Sequence, residues 1–82
     1  MDKTQFIFAI EAEKHYNVLV RIVSTFNRQR IAIKEFSSQS KHTEDQLNIS
    51  IAFEESKDNA LKLSRRLDKE VDIISVNLFE KQ

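Results

Sequence analysis

Two histidines, His15 and His42, are the side chains best suited to acid–base or metal chemistry at neutral pH. They fall on different predicted loops. No second nitrogen or carboxylate stands at ligand spacing beside either one. Both read as solvated loop residues. Glu54 and Glu55 form an acidic pair just before a predicted helix. A negative charge there favours the helix N-terminus, which is a sufficient reason for the pair. Arg28 with Arg30, and Arg65 with Arg66, are short basic pairs that suit solvated helix ends or partner contacts better than a phosphate clamp. There is no cysteine, no nucleophile with a base nearby and no glycine-rich phosphate loop. The residues point to no catalysis, no metal site and no cofactor.

One stretch does raise a question. In EAEKHYNVLVRI a strand ends and a helix begins, yet the turn between them is Lys14, His15, Tyr16 and Asn17. A tight exit usually uses glycine, and the chain has none. Asn17 is expected to cap the helix, its side-chain oxygen accepting an amide of the first turn.

The chain has 82 residues, which suits a single domain spanning 1–82. Leu, Ile, Val and Phe make about a third of it, above the disordered range. With no disulfide to support so small a core, oligomerisation is the expected staple. Thirteen basic residues balance thirteen acidic ones. That balance offers no footprint for nucleic acid or an anionic membrane. No apolar run reaches the length of a membrane span, and the N-terminus does not read as a signal peptide. A soluble, cytoplasmic protein is expected.

Residues 5–11 alternate, with Phe6, Phe8 and Ile10 on one side and Ile7 and Ala9 on the other. Residues 17–28 are helical, with Val18, Leu19, Ile22, Val23 and Phe26 inward. Residues 31–36 form a β-branched run, and the polar 37–45 reads as a loop. Residues 46–53 alternate again, Leu47, Ile49, Ile51 and Phe53 facing the core. Ser56 caps a second helix running to about residue 70. Residues 71–79 close as a strand, with Ile74, Val76 and Leu78 on one side. The order β-α-β-β-α-β specifies an α+β, ferredoxin-like two-layer sandwich: a four-stranded antiparallel sheet with both helices on one face. RNA-binding domains of this order need stacking aromatics on the open face. Here that face would carry Ile7, Ala9, Asn48, Ser50, Ala52, Ile73, Ser75 and Asn77, so RNA binding is not expected.

With these elements placed, RRLDKEVDIISVNLFE resembles the end of the ACT domain in acetolactate synthase (acetohydroxyacid synthase) small regulatory subunits. Leu67, Lys69, Val71, Asp72 and Ile73 match the family pattern, while Glu70 stands where the family has leucine. Leu19, Arg21, Ile22, Val23 and Phe26 match its first helix, and Arg30 replaces the family's turn glycine. The resemblance runs from Phe6 to Phe79, and the length is that of the short, single-domain type. It implies a non-catalytic subunit that activates a thiamine-diphosphate-dependent catalytic large subunit in branched-chain amino acid biosynthesis. The alternative is a free-standing ACT domain that senses a small molecule such as an amino acid.

The resemblance also implies where an effector would sit. The family's site falls on Lys14, His15, Asn17, Val18 and Ala32, with Lys14, Asn17 and Ala32 in place of asparagine, glycine and asparagine. Each replacement is adverse to valine, so valine insensitivity is expected. A site for a different effector built from Lys14, His15 and Tyr16 is the rival expectation. The second strand lies at a sheet edge in this fold. Ile31, Ile33, Lys34 and Phe36 are expected to pair two copies into a homodimer. The open face of the sheet and the helix ends bearing Arg28, Arg65 and Arg66 are the surfaces expected to meet the large subunit.

Overall fold

A computed structural model of the chain describes residues 3–40 and 45–81. Its elements are β1 (Thr4–Glu13), α1 (Val18–Arg28), β2 (Ile33–Ser40), β3 (Gln46–Glu55), α2 (Lys57–Asp68) and β4 (Ile73–Glu80). The strands form one antiparallel sheet in the order β2-β3-β1-β4. This is the ferredoxin-like plan read from the sequence. His42 lies outside the described residues.

Alternation decides which face each strand buries. Phe6, Phe8, Ile10 and Ala12 of β1 and Ile49, Ile51 and Phe53 of β3 are buried beneath the helices. Val18, Ile22 and Phe26 of α1 and Ala60, Leu63 and Leu67 of α2 meet them. Val23, expected on the inner face of α1, is exposed, and Thr25 takes an inner position instead. The Thr25 hydroxyl donates to the Arg21 carbonyl at 2.9 Å, which satisfies it inside the core.

Three strand features differ from the sequence reading, each for a physical reason. The second strand is not 31–36 but Ile33–Ser40, so the first part of the polar stretch 37–45 is strand and not loop. It is an edge strand, and its side chains are exposed along most of its length. Polar residues therefore suit it, and the alternation that marks a half-buried strand is absent. Ile31 lies before the strand, buried against the end of α1. A register irregularity between Ile33 and Glu35 leaves Lys34 as the extra residue, and its ammonium reaches Glu54 at 3.5 Å. The third difference is in β4. An irregularity opposite Glu11 and Ala12 puts both Ile73 and Ser75 in register with adjacent β1 residues, so Ile74 is the extra one. Ile73, Val76 and Leu78 pack on the core, whereas Ile74 is exposed. The expected placement of these two isoleucines is reversed.

The helix ends show how a chain without glycine turns. Ser56 caps α2 as expected, accepting from the Asn59 amide at 3.3 Å. Behind it, Glu55 is buried and accepts from the Asn59 side chain at 3.0 Å. That hydrogen bond foremost holds the Glu55 carboxyl below its ordinary pKa. The Ser56 amide and Lys3 add to the effect, and burial opposes it. At the other end of α1, Ile31 N–H bonds the Phe26 carbonyl and Arg30 N–H bonds the Asn27 carbonyl, both at 3.0 Å. This pair of bonds is a Schellman motif, with Arg30 at the left-handed position. Its φ is 59°, the one positive value among the described residues. The resemblance puts the family's glycine at this position.

Two outcomes follow. Arg30→Gly removes the Cβ clash of a left-handed residue, a cost of about 1–2 kcal/mol, part of which glycine returns through its looser unfolded chain. The variant should be more stable by about 0.5–1 kcal/mol in urea unfolding, and an unchanged midpoint would count against the turn assignment. Asn59→Ala should cost about 1.5 kcal/mol at neutral pH, since the lost bond is to a charged group. Because the folded pKa of Glu55 is lowered, its contribution is full above the unfolded value of about 4.3 and is lost as pH falls through the folded value. The difference between variant and parent should therefore shrink on acidification.

Candidate functional site

The turn after β1 is built without left-handed residues. Val18 N–H bonds the His15 carbonyl at 3.0 Å, closing residues 15–18 into a β-turn. Asn17, with φ −91° and ψ −11°, takes the third place of that turn. Its amide reaches the His15 ring nitrogen Nδ1 at 3.4 Å. Asn17 does mark the helix start, but its side chain makes no capping bond. The expected asparagine cap is thus corrected. The helical ψ of Asn17 departs from the extended geometry that lets a cap side chain fold back over its own helix.

The flanks of the turn are tied down as well. Glu13 N–H bonds the Asp72 carbonyl and Lys14 N–H bonds the Asp45 carbonyl, both at 2.7 Å. The Asp72 side chain then returns across the corner between α2 and β4. It accepts from Arg21 Nη1 at 3.1 Å, and its Oδ2 lies 4.0 Å from His15 Nδ1. The His15 ring stacks on Tyr16 with centroids 5.0 Å apart. A β-turn, the first turn of α1 and the corner before β4 thus meet around one carboxylate. Residue spacing gives no sign of this cluster, because Arg21 and Asp72 are 51 positions apart. Both belong to the pattern that carries the family resemblance, and that is the one signal that marks them.

The structure places the sequence-derived effector residues as follows. Lys14 and His15 are exposed on the turn, and Asn17 is half-buried there. Val18 is a core residue, 1% exposed, and its amide is spent on His15. Ala32 is not brought to the turn. It lies past the far end of α1, beside Val23, Asn27, Ile31 and Ile33. An eleven-residue helix separates the two ends, roughly 16 Å at the α-helical rise. Within one chain, then, the turn offers a ligand three exposed side chains, Lys14, His15 and Tyr16, and a carboxylate already engaged by Arg21. Valine would need main-chain amides for its carboxylate. The amides of Lys14, Asn17 and Val18 all have partners inside the chain.

The open face of the sheet forms a shallow depression of about 430 Å³ around Ser37, Asn48, Ser50, Ser75 and Asn77, where Ser75 Oγ donates to Glu11 at 3.1 Å. Among the described residues, no group of three or more histidines, cysteines or carboxylates is placed to hold a metal ion. No described helix is long and apolar enough to cross a membrane.

No model of a known protein family matches the chain, and no curated protein matches it. Solved structures do. The uncharacterised protein TM1266 from Thermotoga maritima superposes with a TM-score of 0.80, covering 99% of this chain and 100% of its own at 16% identity. The ACT domain from the GTP pyrophosphokinase of Chlorobium tepidum gives 0.82, covering 95% and 100% at 11% identity. The ligand-free regulatory subunit of aspartate kinase from Thermus thermophilus gives 0.62, covering 95% of this chain and 50% of its own at 16% identity. At these identities the likeness establishes architecture: the chain has the fold of the solved ACT domain from GTP pyrophosphokinase.

Proposed function

We propose that the chain is a non-catalytic ACT-domain subunit that activates the catalytic large subunit of acetolactate synthase, and that it does so without responding to valine. The observation that carries this reading is the bond between Arg21 and Asp72. One residue comes from each half of the resemblance, and together they fix the corner where the two halves meet. The left-handed Arg30 at the position of the family's turn glycine adds to it. Valine insensitivity rests on the turn: the amides of Lys14, Asn17 and Val18 are used internally, and Ala32 offers no side-chain hydrogen bond. The exposed pair of His15 and Tyr16 supports a second reading, a free-standing sensor of some other small molecule.

Pairing of two copies through β2 belongs to the same reading. The hydrogen-bond alternation of an antiparallel sheet fixes which amides face outward. Lys81 N–H bonds the Gln5 carbonyl, and the registers carry that phase from β4 through β1 and β3 to β2. Glu35, Ser37 and Gln39 then face β3, while Phe36, Ser38 and Ser40 present their main chain at the edge. Beside this edge, Phe36 and, on α1, Val20 and Val23 are exposed apolar residues. A second copy would cover both the amides and these side chains. It would also supply from a neighbour what one chain leaves separated, an Ala32 region near a Lys14 turn.

Two experiments test this. Titrating the purified chain into its cognate large subunit should raise pyruvate condensation, and millimolar valine should leave the raised rate unchanged. No rise would refute the activator role, and calorimetric binding of a metabolite to the chain alone would then favour the sensor. In sedimentation analysis the parent should be a dimer at micromolar concentration and Ser38→Pro a folded monomer. The Ser38 amide bonds nothing inside the chain, so proline is tolerated there by the fold but not by the pairing. A parent that sediments as a monomer would rule the pairing out.

A further inference from the structure

Between α1 and α2, on the surface away from the sheet, lies a groove of about 450 Å³. Five cations line it: Arg28 from α1, and Lys62, Arg65, Arg66 and Lys69 from α2 and its C-cap. Glu70 is the one acid in the lining. Among the described residues, none of the five comes within ion-pair distance of a carboxylate, whereas Lys3, Arg21 and Lys34 each do.

Helix-end electrostatics accounts for part of this, since Arg28, Arg65 and Arg66 lie in last turns, where a cation is favoured. It does not account for the spacing. Lys62 stands three and four positions before Arg65 and Arg66, and Arg65 stands four before Lys69. Each is a like-charge pair on one face of a helix, which is destabilising. The chain as a whole is neutral and could have interleaved its charges. Six of its thirteen acids stand on the strands, at Glu11, Glu13, Glu35, Glu54, Glu55 and Glu80, while α2 and its C-terminal end carry Asp58, Asp68 and Glu70.

We propose that this groove is a docking surface for an acidic stretch of a partner polypeptide. A compact anion is poorly served here. Both helix ends at the groove are C-terminal, so their carbonyls oppose a single concentrated negative charge. The Thr25 hydroxyl already donates to Arg21 and lies 3.4 Å from Arg28 Nη2, so it has no hydrogen to give a ligand. Separate carboxylates spread along a chain fit separate cations, and each arginine fork can take one carboxylate through two bonds. The surface is independent of the edge at β2 and of the turn at His15, so the inference stands whether or not the partner is the enzyme named above.

The test uses the full chain and a labelled twelve-residue peptide of glutamate and aspartate, followed by fluorescence anisotropy. Binding should weaken steeply as salt rises. The double variant Arg65→Glu, Arg66→Glu should weaken it at least tenfold, while Lys81→Glu, on the strand side, should leave it within twofold. Peptide affinity unmoved by the double variant would overturn the proposal. So would tighter binding of inorganic tripolyphosphate or of a single-stranded oligonucleotide carrying the same charge as the peptide.

Discussion

Phe53 is held between two neighbours on the adjacent strand. Its ring stacks on Phe8 at 5.0 Å and on Phe6 at 5.8 Å, and Phe26 of α1 meets it edge-on at 5.4 Å. These four rings fix the register of the two central strands and the position of the first helix in one cluster. A slip of one residue between β1 and β3 would turn Phe6, Phe8 and Ile10 out to solvent. Aromatic contacts of this geometry add about 0.5–1.5 kcal/mol each beyond burial, enough to decide between registers in so small a domain. Everything else is placed from this centre. Phe26 anchors the last turn of α1, so Ile31 can close the Schellman motif, and β2 starts where that turn releases the chain.

A chain without glycine has to obtain its turns by other means, and the two ends of α1 use different ones. At the N-terminal end, the His15 carbonyl and ring replace what a special backbone angle would supply. At the C-terminal end, no local substitute exists, because the motif itself requires a left-handed residue. Arg30 adopts that conformation, and the buried Phe26–Ile31 end of the core holds it there. The first solution is specific to polar residues at the turn. It also uses the main-chain amides of Asn17 and Val18 at the helix start.

The parts legible in the sequence were those with a strong period. Alternation in β1 and β3 and the helical stripes of α1 and α2 gave the element order, hence the fold, and most of the core. Two kinds of feature were not legible. Edge strands lack the half-buried pattern, so the polar end of β2 read as loop. Register irregularities are set by pairing with another strand, so the exchange of Ile73 for Ile74 left no local mark. At the candidate site, the turn residues were identifiable by type, but their bonding was not. The Asn17 cap failed because the alternative, a turn closed by the His15 carbonyl with the ring at the Asn17 amide, has no sequence signature. The Arg21–Asp72 contact joins distant positions and could be suspected only from the family pattern.

What the fold satisfies within itself, and what it leaves outward, argue for the same kind of role. Among the described residues, no buried side-chain nitrogen or oxygen lacks a hydrogen bond. The strand–helix turn is bonded through its own amides and through Asp72. By contrast, β2 and β4 each end the sheet with outward main chain, and none of the five cations of the groove is in an ion pair with a described residue. β4 makes the contrast sharpest, since seven consecutive residues from Ile73 to Phe79 carry no charge and Ile74 and Phe79 are exposed. An edge of that composition invites further strands unless something covers it. Small ligands are recognised by concave sites with a few converging polar groups. Extended edges and spread charge suit polypeptides. The sheet edges and the cationic groove are of the second kind, and they are the features that the proposed pairing and docking would satisfy.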